Sequence, residues 1–291
     1  MKAQDRTITT NGIRLYSQSL GEDDSPPVLM VMGATASLAW WPEPLIETLA
    51  YSGCRVIRYD HRDTGQSTTF APGTASYSVE DMVDDLWAVA DGYGLERFHL
   101  VGMSLGGLLG QIASLQQPER LLSLTLIATQ PLDGSDLEAP PIAAEFLSHF
   151  QQLDRLDWGD QDGVIDYLVE SARLCAGSGQ PFLVEEARQR AQTEVARASQ
   201  FQSAFHHSKL SSGQTYAGRM GEIATPCLVL QGDEDPIVAR INADVILSRL
   251  PNARLHIVEG LGHELPSSRV PEIATEILDF LAQRHRQAPA G

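Results

Sequence analysis

The sequence predicts an α/β protein: a mostly parallel central sheet flanked by helices on both faces, with a helical segment inserted late in the chain. Three observations carry that expectation. Runs such as Val28-Leu29-Met30-Val31-Met32 and Arg55-Val56-Ile57-Arg58-Tyr59 read as strands buried on both faces, not as the alternating pattern of a half-exposed sheet. Between residues 28 and 128 these runs alternate with helical periodicity and carry no hairpin signal, the pattern of parallel strands joined by crossover helices. From 132 to 220 the pattern turns to helices alone, and strands resume at Pro226-Cys227-Leu228-Val229-Leu230.

The chain opens with Asn11-Gly12 between two alternating apolar runs over residues 7–20, a hairpin signal that places an antiparallel edge before the parallel part. The strand at Val28 ends in Gly33-Ala34-Thr35. After the loop carrying Trp40, Trp41 and Pro42, a helix over 43–51 precedes the strand at Arg55. That strand runs into Asp60-His61-Arg62-Asp63-Thr64-Gly65-Gln66-Ser67, dense in charge and turn residues. A long helix is expected over 78–93, with Ser78 as its N-cap, Asp81 three residues on, and Val79, Met82, Val83, Leu86 and Val89 on one face. Then come a strand at Arg97-Phe98-His99-Leu100-Val101, the turn Gly102-Met103-Ser104-Leu105-Gly106-Gly107, a helix through Leu108, Leu109, Ile112 and Leu115, and a strand over 121–128.

Residues 1–131 and 221–291 thus form the two parts of a core, and 132–220 a helical cap. Within the cap, helices are expected over 141–153, 164–174 and 184–209. Asp133-Gly134 and 218–221 would be its hinges, with Gly177-Ser178-Gly179 as an internal break. Beyond the cap, a helix near 239–250, a strand at Arg254-Leu255-His256-Ile257-Val258 and a closing helix over 270–283 complete the core. The tail, 284–291, is expected to be disordered.

Composition narrows the function. A formal net charge of −17 over 291 residues repels phosphates, which argues against nucleic acid and anionic membranes as partners. No run approaches a membrane span, and the first residues lack the apolar core and cleavage site of a secretory signal, so a cytoplasmic protein is expected. A homodimer is compatible with the sequence. Cys54, Cys175 and Cys227 have neither metal-like spacing nor an even count, and they read as buried or half-buried thiols.

The chemistry centres on Ser104. In a G-x-S-x-G turn between strand and helix, the small residues two before and two after the serine let the elements approach closely and lift its hydroxyl clear. The following helix N-terminus points N–H groups toward the space above it. A base and an acid must then come from other strand ends. Of the eight histidines, only His263 has a strand-end loop position, and Asp235 follows the strand before it. His61 and His99 read as structural, His256 lies in a strand, and His285 lies in the tail.

Gly33-Ala34, Asp60-x-Arg62-x-x-Gly65-x-Ser67, Gly102-Met103-Ser104-Leu105-Gly106-Gly107, Gly232-Asp233-Glu234-Asp235 and Gly262-His263 together resemble the α/β-hydrolase superfamily over nearly the whole chain. The runs Val31-Met32-Gly33, 56–65 and 262–268 are similar to methylesterases of the aclacinomycin type, which tailor anthracyclines. The resemblance implies Ser104 as nucleophile, His263 as base, and Asp235, three residues after the glycine of its turn, as the acid in preference to Asp233 or Asp133. It implies oxyanion donors at the N–H groups of Ala34 and Leu105, and a structural role for Asp60, Arg62 and Asp63. Met32 stands where many members have histidine, which leaves the donors in place but their loop with different support. No metal or organic cofactor is required by such a triad. The expected substrate is a small-molecule ester, and by resemblance a methyl ester on a bulky aromatic polyketide, with Trp40, Trp41, His206 and His207 as candidate contacts. His206 and His207 also fit a solvated helix face. The same triad supports lactone opening, carbon–carbon bond hydrolysis and cofactor-free perhydrolysis. A protein of another class, which kept the fold only to bind a ligand, is the remaining alternative.

Overall fold

The structure is a computed structural model, and it describes residues 1–134 and 138–287. β1 (Gln4–Thr10) and β2 (Ile13–Leu20) form the expected antiparallel hairpin about Asn11-Gly12, both at positive φ. β3 (Pro27–Val31), α1 (Glu43–Tyr51), β4 (Arg55–Tyr59), α2 (Val79–Gly92), β5 (Phe98–Met103), α3 (Leu105–Gln116) and β6 (Leu121–Ile127) follow. Ser78 and Asp81 form a reciprocal capping box at the start of α2. After the inserted helices, β7 (Cys227–Gly232), α7 (Ile241–Arg249), β8 (Ala253–Val258) and α8 (Val270–Gln287) close the chain.

Among the described residues eight strands lie in the order β1-β2-β4-β3-β5-β6-β7-β8, parallel from β4 onward. β4 lies on one side of β3 and β5 on the other, so chain connections diverge there and leave a crevice at the strands' C-terminal ends. The apolar runs are explained by which face each residue meets. Leu29, Val31 and Leu100 pack under α2, α3 and α7, whereas Val28, Met30 and Val101 pack under α1 and α8. Both faces are covered, so neither set can be polar.

Between β6 and β7 the described residues hold helices and no strand: α4 (Ala144–Phe150), α5 (Gln161–Cys175) and α6 (Val184–Arg197), with 3₁₀ segments at Gln151–Arg155 and Phe201–Lys209. Val164, Ile165, Tyr167, Leu168 and Ala191 make a small core of their own here. Asp133 joins the two ends of the insertion: its carboxylate accepts the N–H of Gly218 at 2.8 Å and pairs with Arg249.

Two expectations need correction. The single helix expected over 184–209 breaks after Arg197, where Ala198 turns extended. Its Arg197 guanidinium is drawn 2.7 Å from Asp60, and Ser199 donates its N–H to the carbonyl of Gly65 at 3.3 Å, so tertiary ties outweigh local helix propensity. The closing helix, whose Ile273, Ile277, Phe280 and Leu281 are buried, continues unbroken to Gln287 into the stretch expected to be disordered; residues 288–291 lie outside the described ones. Among the described residues no helix is long and apolar enough to cross a membrane.

Candidate active site

Ser104 sits between β5 and α3 at φ 51° and ψ −116°, a conformation that costs a non-glycine residue roughly 1–3 kcal/mol. Surrounding contacts hold it there. Its N–H donates to the carbonyl of Ile127 at 2.8 Å, and its own carbonyl accepts the Thr129 hydroxyl at 2.7 Å. The two flanking glycines are required by space: a Cβ on Gly102 would stand 2.3 Å from the Gly106 oxygen, and one on Gly106 would stand 2.0 Å from the Val31 oxygen. The loop after β3 runs beside the serine, since a Cβ on Gly33 would lie 3.2 Å from the Ser104 Cβ.

Asp235 and His263 follow β7 and β8. The imidazole Nδ1 of His263 lies 2.8 Å from Oδ2 of Asp235, whose side chain is fully buried. Oδ1 of that carboxylate accepts the N–H groups of Ile237 at 2.8 Å and Val238 at 2.7 Å, and Oδ2 also accepts from Gln231 at 3.3 Å. A buried carboxylate so held can orient a ring and stabilise positive charge on it. The His263 loop is set by the insertion: the N–H of His263 donates to the carbonyl of Cys175 at 2.8 Å, and Gly179 donates to Gly260 at 2.9 Å. The Gly177-Ser178-Gly179 break is therefore a docking point as well as an interruption. By contrast, Asp133 is engaged at the base of the insertion.

Ser104 and His263 line one cavity of about 330 Å³, together with Met32, Gly33 and Ala34. Its far walls are apolar and aromatic, from Phe146 and Phe150 of α4, Tyr167 and Leu168 of α5, and Phe205. Trp40 is part of the lining. Trp41 is not: 1% exposed, it packs with Leu45 and Leu49 in the core, because successive residues leaving a 3₁₀ turn face different sides. Three charged residues that sequence reasoning missed also line the cavity: Glu186, Arg190 and Glu264. Arg190 pairs with Glu186 at 2.7 Å and lies 5.5 Å over the Trp40 ring. Burial lowers the Arg190 pKa and raises that of Glu264. The i,i+4 spacing of Glu186 and Arg190 was the available signal, but it reads equally as a surface pair.

His206 and His207 are not in the cavity, nor do they form a solvated face. His206 bridges Asp63 at 2.9 Å and the Gly73 N–H at 2.8 Å. His207, 5% exposed, contacts Thr35 and Arg62. Nearby on α6, fully buried Glu194 accepts the N–H and hydroxyl of Ser37 at 3.1 and 2.5 Å. Burial pushes its carboxyl up to about 8. Asp60, Arg62 and Asp63 lie in this network, outside the cavity lining. Asp60 accepts the Leu38 and Gln66 N–H groups at 2.9 Å each, and Arg62 forks onto Asp85 with both contacts at 2.7 Å.

A family model described as alpha/beta hydrolase fold matches residues 26–268. The chain is 33% identical over 275 residues to rhodomycin D methylesterase DauP of Streptomyces sp. (strain C5), a match covering 90% of this chain and 92% of that one. It is likewise 33% identical over 276 residues to rhodomycin D methylesterase DnrP of Streptomyces peucetius, with the same coverage of 90% and 92%. Among solved structures, the meta-cleavage product hydrolase CumD of Pseudomonas fluorescens superposes with a TM-score of 0.75 at 20% identity, covering 96% of this chain and 97% of that one. An enol-lactonase of Burkholderia xenovorans gives 0.73 at 18% identity, covering 95% of this chain and all of that one (100%). At such identities the structural likeness speaks to the fold alone.

Proposed function

The chain belongs to the α/β-hydrolase fold family, and from that footing we propose that it is a serine esterase that cleaves a methyl ester on a bulky aromatic substrate. The observation that carries the reading is that Ser104 and the Asp235-supported His263 line the same aromatic-walled cavity. The methylesterase relatives bring the ester chemistry, and the cavity's largely apolar and aromatic lining suits an aromatic acyl part.

In this mechanism His263 takes the Ser104 hydroxyl proton as Oγ bonds to the ester carbonyl carbon. Asp235 holds the Nε2-basic tautomer and stabilises the imidazolium. Negative charge gathers on the carbonyl oxygen, facing the N–H groups of Leu105, at the positive end of α3, and of Ala34. As the tetrahedral intermediate collapses, the C–O bond to methanol breaks and His263 returns the proton to the leaving oxygen. Water, deprotonated by the same imidazole, then attacks the acyl-enzyme; a second collapse releases the acid and restores Ser104. Helices of the 132–220 cap close over the acyl part and select it.

The test is product identification on a panel of aryl methyl esters, lactones and diketones, with Ser104→Ala alongside wild type. Methanol and free acid from the bulky aromatic esters, lost by about 10⁴-fold or more in the variant, are expected. Undiminished hydrolysis by Ser104→Ala overturns the assignment, and turnover confined to lactones or diketones overturns the substrate class.

A further inference from the structure

The proposed oxyanion donor at Ala34 lies on a short loop whose two ends are each held by a histidine. Before it, the Met32 carbonyl is 2.9 Å from Nε2 of His61, a residue of the turn after β4. After it, the Thr35 N–H donates to Nδ1 of His207, on the 3₁₀ segment of the insertion, at 3.0 Å. The tautomers follow from the partners. Nδ1 of His207 accepts, so its proton is on Nε2, which donates to the Arg62 carbonyl at 2.9 Å. His61 must donate from Nε2 to a carbonyl. The rings meet edge to face with centroids 5.8 Å apart, and burial pushes the two imidazoles down to about 4 and about 3, so both are neutral at ordinary pH.

The hold has work to do. Thr35 stands at φ 64°, a strained conformation that a β-branched residue rarely adopts. Released from its acceptor, that residue would relax, turning the Ala34–Thr35 peptide and, through Ala34, shifting the adjoining N–H of Ala34. Ser37, two residues on, is gripped by Glu194 of the same insertion.

We propose that His207 is a positioning residue that fixes the oxyanion loop from the inserted helices, working with His61 from the core, so that seating of the insertion and readiness of the anion pocket are one event. This rests on Ala34 serving as an oxyanion donor in the serine mechanism above.

The test uses two isosteres in the full-length protein. In His207→Asn the Oδ1 falls where Nδ1 was and still accepts the Thr35 N–H; in His207→Gln the Nε2 falls where the ring Nε2 was, and the acceptor is gone. His207→Gln is expected to lose about 10- to 100-fold in kcat with KM nearly unchanged, since removing a whole donor costs about 10²–10³. Affinity for an aryl trifluoromethyl ketone, whose adduct carries an oxyanion, should fall by the same factor, while affinity for the matching methyl ketone should not. His207→Asn should recover to within about fivefold of wild type. Equal losses in both variants, or none in either, overturn the proposal. If the Gln variant does not fold, nitrogen NMR of wild type decides instead: Nδ1 of His207 should be unprotonated and coupled to the Thr35 amide, and a protonated Nδ1 overturns the proposal. Ser104→Ala separates the two ideas, because retained hydrolysis there defeats the serine mechanism whatever His207 does.

Discussion

Glu194→Gln should flatten the pH dependence of stability, and the size of the effect follows from one buried carboxyl. Glu194 is fully buried under Ser37, and burial raises its pKa from 4.5 to about 8, with Asp60 adding to the rise while Ser37 and Arg197 oppose it. In the unfolded chain it ionises near its ordinary value. Between 4.5 and 8 the folded state therefore binds a proton that the unfolded state does not. Stability from this group is whole below 4.5, falls as pH rises, and levels off above 8. At pH 7 the loss is 2.5 units at about 1.36 kcal/mol each, or roughly 3 kcal/mol. Glutamine has the shape of the protonated acid and still accepts the Ser37 N–H, while its amide nitrogen must donate to the hydroxyl that donates to the carboxylate in the wild type. One spare N–H costs about 1 kcal/mol, but equally at every pH. Urea unfolding of both proteins at half-unit steps from pH 4.5 to 8 is the assay. The variant should gain about 3 kcal/mol relative to wild type between pH 4.5 and 7. Parallel curves would refute the reasoning, because they would mean that Glu194 is ionised in the folded protein at neutral pH.

Asp235→Asn leaves His263 without its anionic partner and can reverse the tautomer, so kcat should fall about 10³–10⁴-fold with KM within a few-fold of wild type, read by steady-state ester hydrolysis. Gly106→Ala drives a Cβ to 2.0 Å from the Val31 carbonyl, backbone that cannot step aside, and should cost about 3 kcal/mol or more by urea titration. Ala172, on α5, lines the cavity; Ala172→Phe should raise KM for naphthyl esters at least about tenfold, equivalent to 1.4 kcal/mol, and leave methyl acetate turnover nearly untouched.

What could be read from the sequence was set by short-range rules. Ser104, Asp235 and His263 each follow a strand that could be read from the sequence, which put them at the strands' C-terminal ends, while the choice of Asp235 over Asp233 and Asp133 came from the family resemblance. Ser78 and Asp81 announced a helix start because a capping box is local. The insertion yielded less for a physical reason. Nothing in Ala198-Ser199-Gln200 signals a break; it is imposed by Asp60 and the Gly65 carbonyl, more than 130 residues earlier in the chain. Paired histidines at 206 and 207 look like a polar helix face until their partners, Asp63 and Thr35, are brought to them. Trp40 and Trp41 are indistinguishable as letters, and only the turn geometry sends one to the cavity and the other to the core. Glu264 was hidden in the shadow of His263, its neighbour in sequence and in the cavity.

The central claim is that Ser104 carries the acyl group in turnover. Incubation with an aryl ester whose acyl-enzyme hydrolyses slowly, an acid quench and peptide mass analysis measure that directly. The account predicts one acyl mass on the peptide containing Ser104, formed at the rate of the product burst and absent from Ser104→Ala. Hydrolysis that proceeds with no adduct there, or with the acyl group on another residue, would contradict it.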